Sequence, residues 1–222
     1  MTMRSARRPL VVLISGRGSN LRRLLECSRT PDSGFSVIKV FTDNPAAGGL
    51  ALADEAQVPA EILVPTQFAD RRRYDAALAD AIEQSNPALI VLAGFMRILS
   101  AEFVARFAGR ILNIHPSLLP AYPGLHTHRR VLAAGDRQHG ATVHFVTEAL
   151  DAGPLIVQGR LTVQDGEDEA RLAARVQGLE HQIYPLAVRW FCEGRLQHRH
   201  GSAWLEGMPL LAPVLLGDGA AV

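Results

Sequence analysis

Apolar runs alternate along this chain with stretches where apolar residues recur every three or four positions, and the alternation predicts strands and helices taking turns. An apolar run over residues 10–15 stops at Gly16-Arg17-Gly18-Ser19-Asn20, after which Leu21, Leu24 and Leu25 follow helical spacing. Residues 35–41 alternate as a strand, broken by Asp43-Asn44-Pro45. A short helix over 48–56, an extended piece over 61–64 and a helix carrying Tyr74, Leu78, Ala81 and Ile82 on one face come next. Residues 88–93 are fully apolar, as expected of a strand buried on both faces. Ser100 suits an N-cap, with Glu102 in the first turn of a helix running toward Phe107. Residues 111–115 are short and extended, 116–126 form a proline-rich loop, and 128–134 are helical in pattern. Strands over 141–147 and 155–163 precede a long helix over 167–191, with Leu172, Val176, Leu179 and Ile183 on one side. This order predicts one α/β domain with a mostly parallel, doubly wound sheet and helices on both faces. Its expected limits are residues 10–205, with an N-terminal extension over 1–9 and a patternless, loosely ordered tail over 206–222.

Composition narrows the classes. Of 222 residues, 48% are hydrophobic and 20% charged, which suits a soluble globular chain and excludes a largely disordered one. A formal net charge of +1 supplies no field that would recruit nucleic acid or an anionic membrane. Lys39 is the only lysine among many arginines, a compositional bias. Cys27 and Cys192 match no metal or redox spacing and are expected to be structural thiols. Arg4, Arg7 and Arg8 precede an apolar run too short for a signal segment, and no stretch reaches the length of a membrane span. The expectation is a cytoplasmic protein that binds no membrane.

Two constellations carry candidate chemistry. The glycine-rich turn at residues 16–20 falls where a strand gives way to a helix, so its backbone can turn tightly and offer N–H groups to an anion. It lacks the third glycine of a dinucleotide fingerprint and the Gly-Lys-Ser/Thr of a P-loop, so a phosphate monoester suits it better than NAD or ATP. A plain strand-to-helix connection would carry the same residues. Further on, Asn113 and His115 share one face of a strand that Pro116 ends. An amide can donate to a developing oxyanion and an imidazole can move protons near neutral pH. A buried, backbone-satisfied histidine is the competing explanation. Asp151 lies in a separate turn, and spacing alone does not connect it to His115.

Taken together, these segments resemble the folate-dependent phosphoribosylglycinamide (glycinamide ribonucleotide) formyltransferases. The likeness rests on residues 12–21, 92–100, 113–128 and 139–153, in order and at similar spacing, and it extends from about Leu10 to Trp204. It implies a Rossmann-like formyltransferase fold that binds two small molecules, 10-formyltetrahydrofolate as cosubstrate and glycinamide ribonucleotide, with no metal. Gly18, Ser19, Asn20 and Glu180 would hold the ribonucleotide. Arg71, Met96, Arg97, Ile98, Leu99 and Asn113 would contact the folate, with Thr147, Glu148, Ala149, Leu150 and Asp151 along its pterin ring. Asn113 and His115 would stabilise the tetrahedral intermediate of direct amine attack, and Asp151 would assist proton transfer. That link between Asp151 and His115 comes from the resemblance. Arg17 stands at a variable place in the phosphate turn, and Gln177-Gly178-Leu179 differs from some relatives; neither removes a required group.

Related folate-dependent enzymes share the Asn-x-His and Asp core. A formyltetrahydrofolate hydrolase would be expected to carry an N-terminal regulatory domain and a methionyl-tRNA formyltransferase a C-terminal one, and the phosphate turn favours a small phosphorylated acceptor. A non-catalytic folate- or nucleotide-binding protein would be expected to lack one of Asn113, His115 and Asp151. The remaining histidines are scattered, and His126 and His128 are expected to be loop and helix-start residues. Sequence leaves monomer and homodimer equally open.

Overall fold

A computed structural model describes residues 7–217. An eight-stranded sheet forms its centre, assembled around β1 (Arg8–Ile14) and β4 (Leu89–Leu92), every residue of which from Leu10 onward is buried. From β1 the chain passes through α1 (Ser19–Ser28) to β2 (Phe35–Thr42), then through α2 (Gly49–Glu55) to β3 (Ala60–Ile62). It returns to the other side of β1 through α3 (Arg71–Gln84) into β4, and continues through α4 (Ala101–Arg106) to β5 (Ile111–His115). After α5 (Thr127–Ala134) come β6 (Gln138–Phe145), β7 (Leu155–Thr162) and the long α6 (Glu169–Cys192). The chain ends in β8 (Leu196–Arg199), β9 (Ser202–Leu205), β10 (Met208–Pro209) and β11 (Val214–Leu216). Strand order is β11-β7-β6-β5-β4-β1-β2-β3, and among the described residues only β6 runs against the rest. The winding direction reverses between β1 and β4, the place where open α/β sheets part to admit ligands.

Alternation along the strands creates two cores. Leu10, Val12 and Ile14 face α1, α2, α5 and α6, whereas Val11 and Leu13 face α3 and α4. The same division on β5 sends Leu112 and Ile114 to the first core and Ile111 to the second. Asn113 and His115 therefore point to the α3–α4 side. Caps fix the helix starts: Asp70, Ser100 and Asp168 accept the N–H groups of Arg73, Phe103 and Arg171. The Ser100 cap agrees with the sequence expectation.

Several boundaries differ from expectation. β1 begins at Arg8, where it pairs with Phe35, because ladder bonding extends past the apolar run. β6 starts at Gln138 and stops at Phe145, leaving Thr147 in the following loop. Glu167 is not helical; Asp168 caps α6, and Glu167 instead accepts from Gln164 N–H and pairs with Arg175. The tail is not loose over its described part. β10 pairs with β9, β11 adds to the sheet beside β7, and Leu210, Val214 and Leu216 pack on the first core.

Candidate active site

Where α3 and α4 stop, the sheet face beyond Ile111 carries polar side chains. Register places Asn113 opposite His144 and His115 opposite Thr142, and Thr142 in turn opposite Gln158. Directly paired residues share a face, so these five form one polar strip across β5, β6 and β7. Above the strip lies a cavity of about 510 Å³.

His144 is almost fully buried and was not singled out from sequence, since it alternates within an ordinary-looking strand. Its Nδ1 lies 2.9 Å from the Phe145 carbonyl, which can only accept, so Nδ1 carries the hydrogen. Its Nε2, 3.1 Å from Asn113 Nδ2, is then the acceptor of an amide hydrogen. Burial pushes the His144 pKa down, which keeps this neutral tautomer. Asn113 is thereby fixed in orientation, with its second N–H still available.

His115 sits between two acceptors. Its Nε2 is 2.9 Å from the Tyr122 carbonyl, and its Nδ1 is 3.4 Å from Asp151 Oδ2. The Tyr122 carbonyl can only accept, so Nε2 carries a hydrogen. Asp151 Oδ2 also accepts the Gly124 N–H at 2.8 Å, and Oδ1 lies 3.8 Å from His144 Nε2. The turn at Asp151, far from His115 in sequence, is thus brought onto it by the β6–β7 hairpin. Tyr122, His126 and Asp151 all have left-handed backbone (φ 56, 58 and 52), a concentration of unfavourable conformers at one site. Beneath the loop, Gln158 Nε2 donates to the Leu119 carbonyl at 2.7 Å and to Thr142 Oγ1 at 3.0 Å, and the Leu119 N–H donates to Thr142 Oγ1. These bonds hold residues 117–121, and with them the segment that delivers the Tyr122 carbonyl and Gly124 N–H.

The folate set that the resemblance implies mostly lines the cavity. Met96, Arg97, Ile98 and Leu99 line one side, Asn113 the floor, and Thr147, Glu148, Ala149, Leu150 and Asp151 the other. Met96, Ile98, Leu125 and Leu150 are large apolar side chains left exposed around it, a wall suited to a flat hydrophobic ring. Arg71 does not line the cavity; its guanidinium donates to the Ile98 carbonyl from behind.

The glycine turn lies beside this cavity. Gly18 has φ +80, and a Cβ there would come within 2.8 Å of Gly49 Cα, so the turn requires glycine. It leads into α1 without a side-chain cap, leaving the first N–H groups of the helix open. Gln177, from α6, donates to Ser19 Oγ at 3.0 Å, and Asn20 Nδ2 donates to Glu180 Oε2 at 2.8 Å. Glu180 is buried, which raises its pKa against the opposing pull of Asn20. Ser15 joins turn and cavity, since its N–H donates to Gly94 O at 3.1 Å and its Oγ accepts the Met96 N–H at 2.9 Å. At the opposite end, His128 and His139 share a hydrogen bond of 3.0 Å that sequence inspection did not foresee. Among the described residues, no group of three or more His, Cys, Asp or Glu could hold a metal ion, and no helix is long and apolar enough to cross a membrane.

Comparisons with known proteins point the same way. Residues 8–188 match the formyl transferase family. Phosphoribosylglycinamide formyltransferase of Escherichia coli (strain K12) is 49% identical over 201 residues, which cover 90% of this chain and 95% of that one. The human trifunctional purine biosynthetic protein adenosine-3 is 39% identical over 188 residues, 85% of this chain and 19% of the larger protein. Among solved structures, phosphoribosylglycinamide formyltransferase from Coxiella burnetii superposes with a TM-score of 0.91 at 42% identity, covering 95% of this chain and 99% of that one.

Proposed function

The chain belongs to the formyl transferase family, and from that premise we propose that it is a cytoplasmic enzyme of de novo purine biosynthesis that formylates glycinamide ribonucleotide. The formyl donor is 10-formyltetrahydrofolate. The observation that carries this assignment is the placement of Asn113, His115 and Asp151 around one point of a cavity adjoining an uncapped phosphate-type turn.

In the reaction the ribonucleotide's amine attacks the formyl carbon. A new nitrogen–carbon bond forms, the bond to the folate's N10 breaks, the amine loses a proton and N10 gains one. Asn113, its amide set by His144, donates its second N–H to the formyl oxygen as negative charge gathers there. His115, resting on the Tyr122 carbonyl through Nε2, turns that N–H toward the same oxygen when substrate enters. Each such donor is worth about a hundredfold in rate. Asp151 faces Nδ1 and carries the proton between amine and N10, directly or through one water. The exposed apolar side chains of Met96, Ile98 and Leu150 cover the pterin and exclude water. Gly18, Ser19 and Asn20 hold the phosphate through backbone N–H groups, and Glu180 receives the ribonucleotide's polar edge.

The test is a spectrophotometric deformylation assay with and without glycinamide ribonucleotide. Turnover that requires the nucleotide is expected. Turnover with water alone would make the chain a hydrolase, and tight binding of both ligands without turnover would make it a binding protein. His115→Ala and Asp151→Asn should each lower kcat by about a hundredfold or more while nucleotide affinity stays near wild type. Near-normal kcat in both variants would remove these residues from the mechanism.

A further inference from the structure

Residues 95–99 form a lip of the cavity and, like Ser100 after them, belong to no helix or strand, so no ladder of their own fixes them. Met96 and Ile98 on this lip are 70% and 55% exposed, whereas Phe95 and Leu99 are buried in the second core. The lip's polar tethers on the rear side come from the first turns of α3. The Ser100 N–H donates to Asp75 Oδ2 at 2.9 Å. Arg71, one turn earlier, donates to the Ile98 carbonyl and lies 3.7 Å from the same Asp75 oxygen. The Arg97 guanidinium stacks on the buried Tyr74 ring, 4.8 Å from its centroid. Arg71, Tyr74 and Asp75, from the first two turns of α3, thus hold Ile98, Arg97 and Ser100 respectively.

Asp75 is the centre of this grip. It is 2% exposed, a rare state for a carboxylate unless it is paired and hydrogen-bonded. Nothing in the proposed chemistry uses it, because it lies behind the lip and does not line the cavity. We propose that Asp75 is a positioning residue for the folate cosubstrate, holding the lip at the height a flat ring requires, with Arg71 acting through the Ile98 carbonyl. The proposal rests on the assignment of the cavity to folate. It also gives Arg71 a role at this site that needs no direct contact with the folate.

The remaining oxygen, Asp75 Oδ1, is buried without a hydrogen-bond partner among the described residues. This supplies a conservative control, since Asp75→Asn can keep its carbonyl on the Ser100 N–H and place its NH₂ where the unpartnered oxygen stands. Asp75→Ala removes the acceptor altogether. The experiment measures kcat and both KM values in the full-length chain, with direct titration of 10-formyltetrahydrofolate binding by protein fluorescence. Asp75→Ala should raise the folate KM and Kd about tenfold or more, the consequence of losing one charge-assisted bond. The KM for glycinamide ribonucleotide and kcat should stay within about twofold, and Asp75→Asn should recover most of the loss. A folded Asp75→Ala variant with unchanged folate KM, or with both KM values raised equally, overturns the proposal, as does an Asn variant as impaired as Ala. If Asp75→Ala does not fold, Arg71→Gln decides, because it removes the second tether at an exposed position. An unchanged folate KM there also overturns the proposal. A wild-type chain that neither binds nor consumes the folate would instead sink the assigned function.

Discussion

Acid stability provides a direct test of the pair formed by buried His139 and half-buried His128. His139 is 1% exposed in β6, and its Nε2 lies 3.0 Å from His128 Nδ1. One of these nitrogens donates and the other accepts, so a further proton would set N–H against N–H. Burial, then the neighbouring His128 and His115, push the His139 pKa down to about 4 from an ordinary 6.5. Its folded pKa lies below its unfolded one, so the unfolded chain binds the proton more readily. The stabilisation from a neutral His139 is therefore complete above pH 6.5 and disappears as pH falls toward 4. At 1.36 kcal/mol per unit the loss is roughly 3 kcal/mol, a large part of the margin of a domain this size. His139→Gln keeps a hydrogen-bonding amide beside His128 but cannot titrate. Urea unfolding at steps between pH 7 and 4 should show a steep loss of stability in the wild type and a shallower one in the variant. The difference should approach roughly 3 kcal/mol at the acid end, whatever the variant's starting stability. Superimposable pH slopes for the two proteins would refute the reasoning, because they would mean that His139 takes up no proton on unfolding.

Other substitutions probe how the site is supported. Gly153→Ala would place a Cβ 1.8 Å from the Phe145 carbonyl, a clash with backbone that no rotamer relieves. It should cost about 1–3 kcal/mol or more in thermal unfolding and displace the Asp151 turn, with kcat falling in parallel. Gln158→Leu leaves the buried Leu119 carbonyl without its donor, at a cost of about 1–3 kcal/mol, and loosens the loop that delivers Tyr122 and Gly124. Its kcat should fall more than its stability alone would explain, as measured well below the melting temperature; full kcat would show that the loop is held elsewhere.

The strands buried on both faces, β1 and β4, were evident from continuous apolar runs, and the Ser100 cap from a single hydroxyl preceding a helical pattern. Boundaries failed where hydrogen bonding rather than burial defines the element. β6 begins at exposed Gln138, and β11 is an edge strand of three apolar residues, too short to show a period of its own. At the site, Asn113 and His115 could be paired from strand periodicity because they lie on one strand. Their partners lie on other strands. His144 faces Asn113 only through antiparallel register, and Asp151 reaches His115 only after a hairpin closes, neither of which local pattern encodes. Resemblance to known formyltransferases supplied the aspartate but gave no notice of His144 or of the His128–His139 pair.

Ser15 couples the phosphate turn to the cavity. Its N–H and its hydroxyl bind opposite ends of the same short stretch, Gly94 and Met96, so the end of β1 is laced to the lip in both directions. Under the proposed function, one ligand's phosphate is anchored just after Ser15 and the other ligand's ring rests on Met96. The spacing between them is then a built-in ruler rather than the outcome of a closing motion. An acceptor whose arm between phosphate and amine is one bond too long or too short would still dock, but its nitrogen would miss the formyl carbon. Discrimination among phosphorylated amines would accordingly appear in turnover more than in affinity.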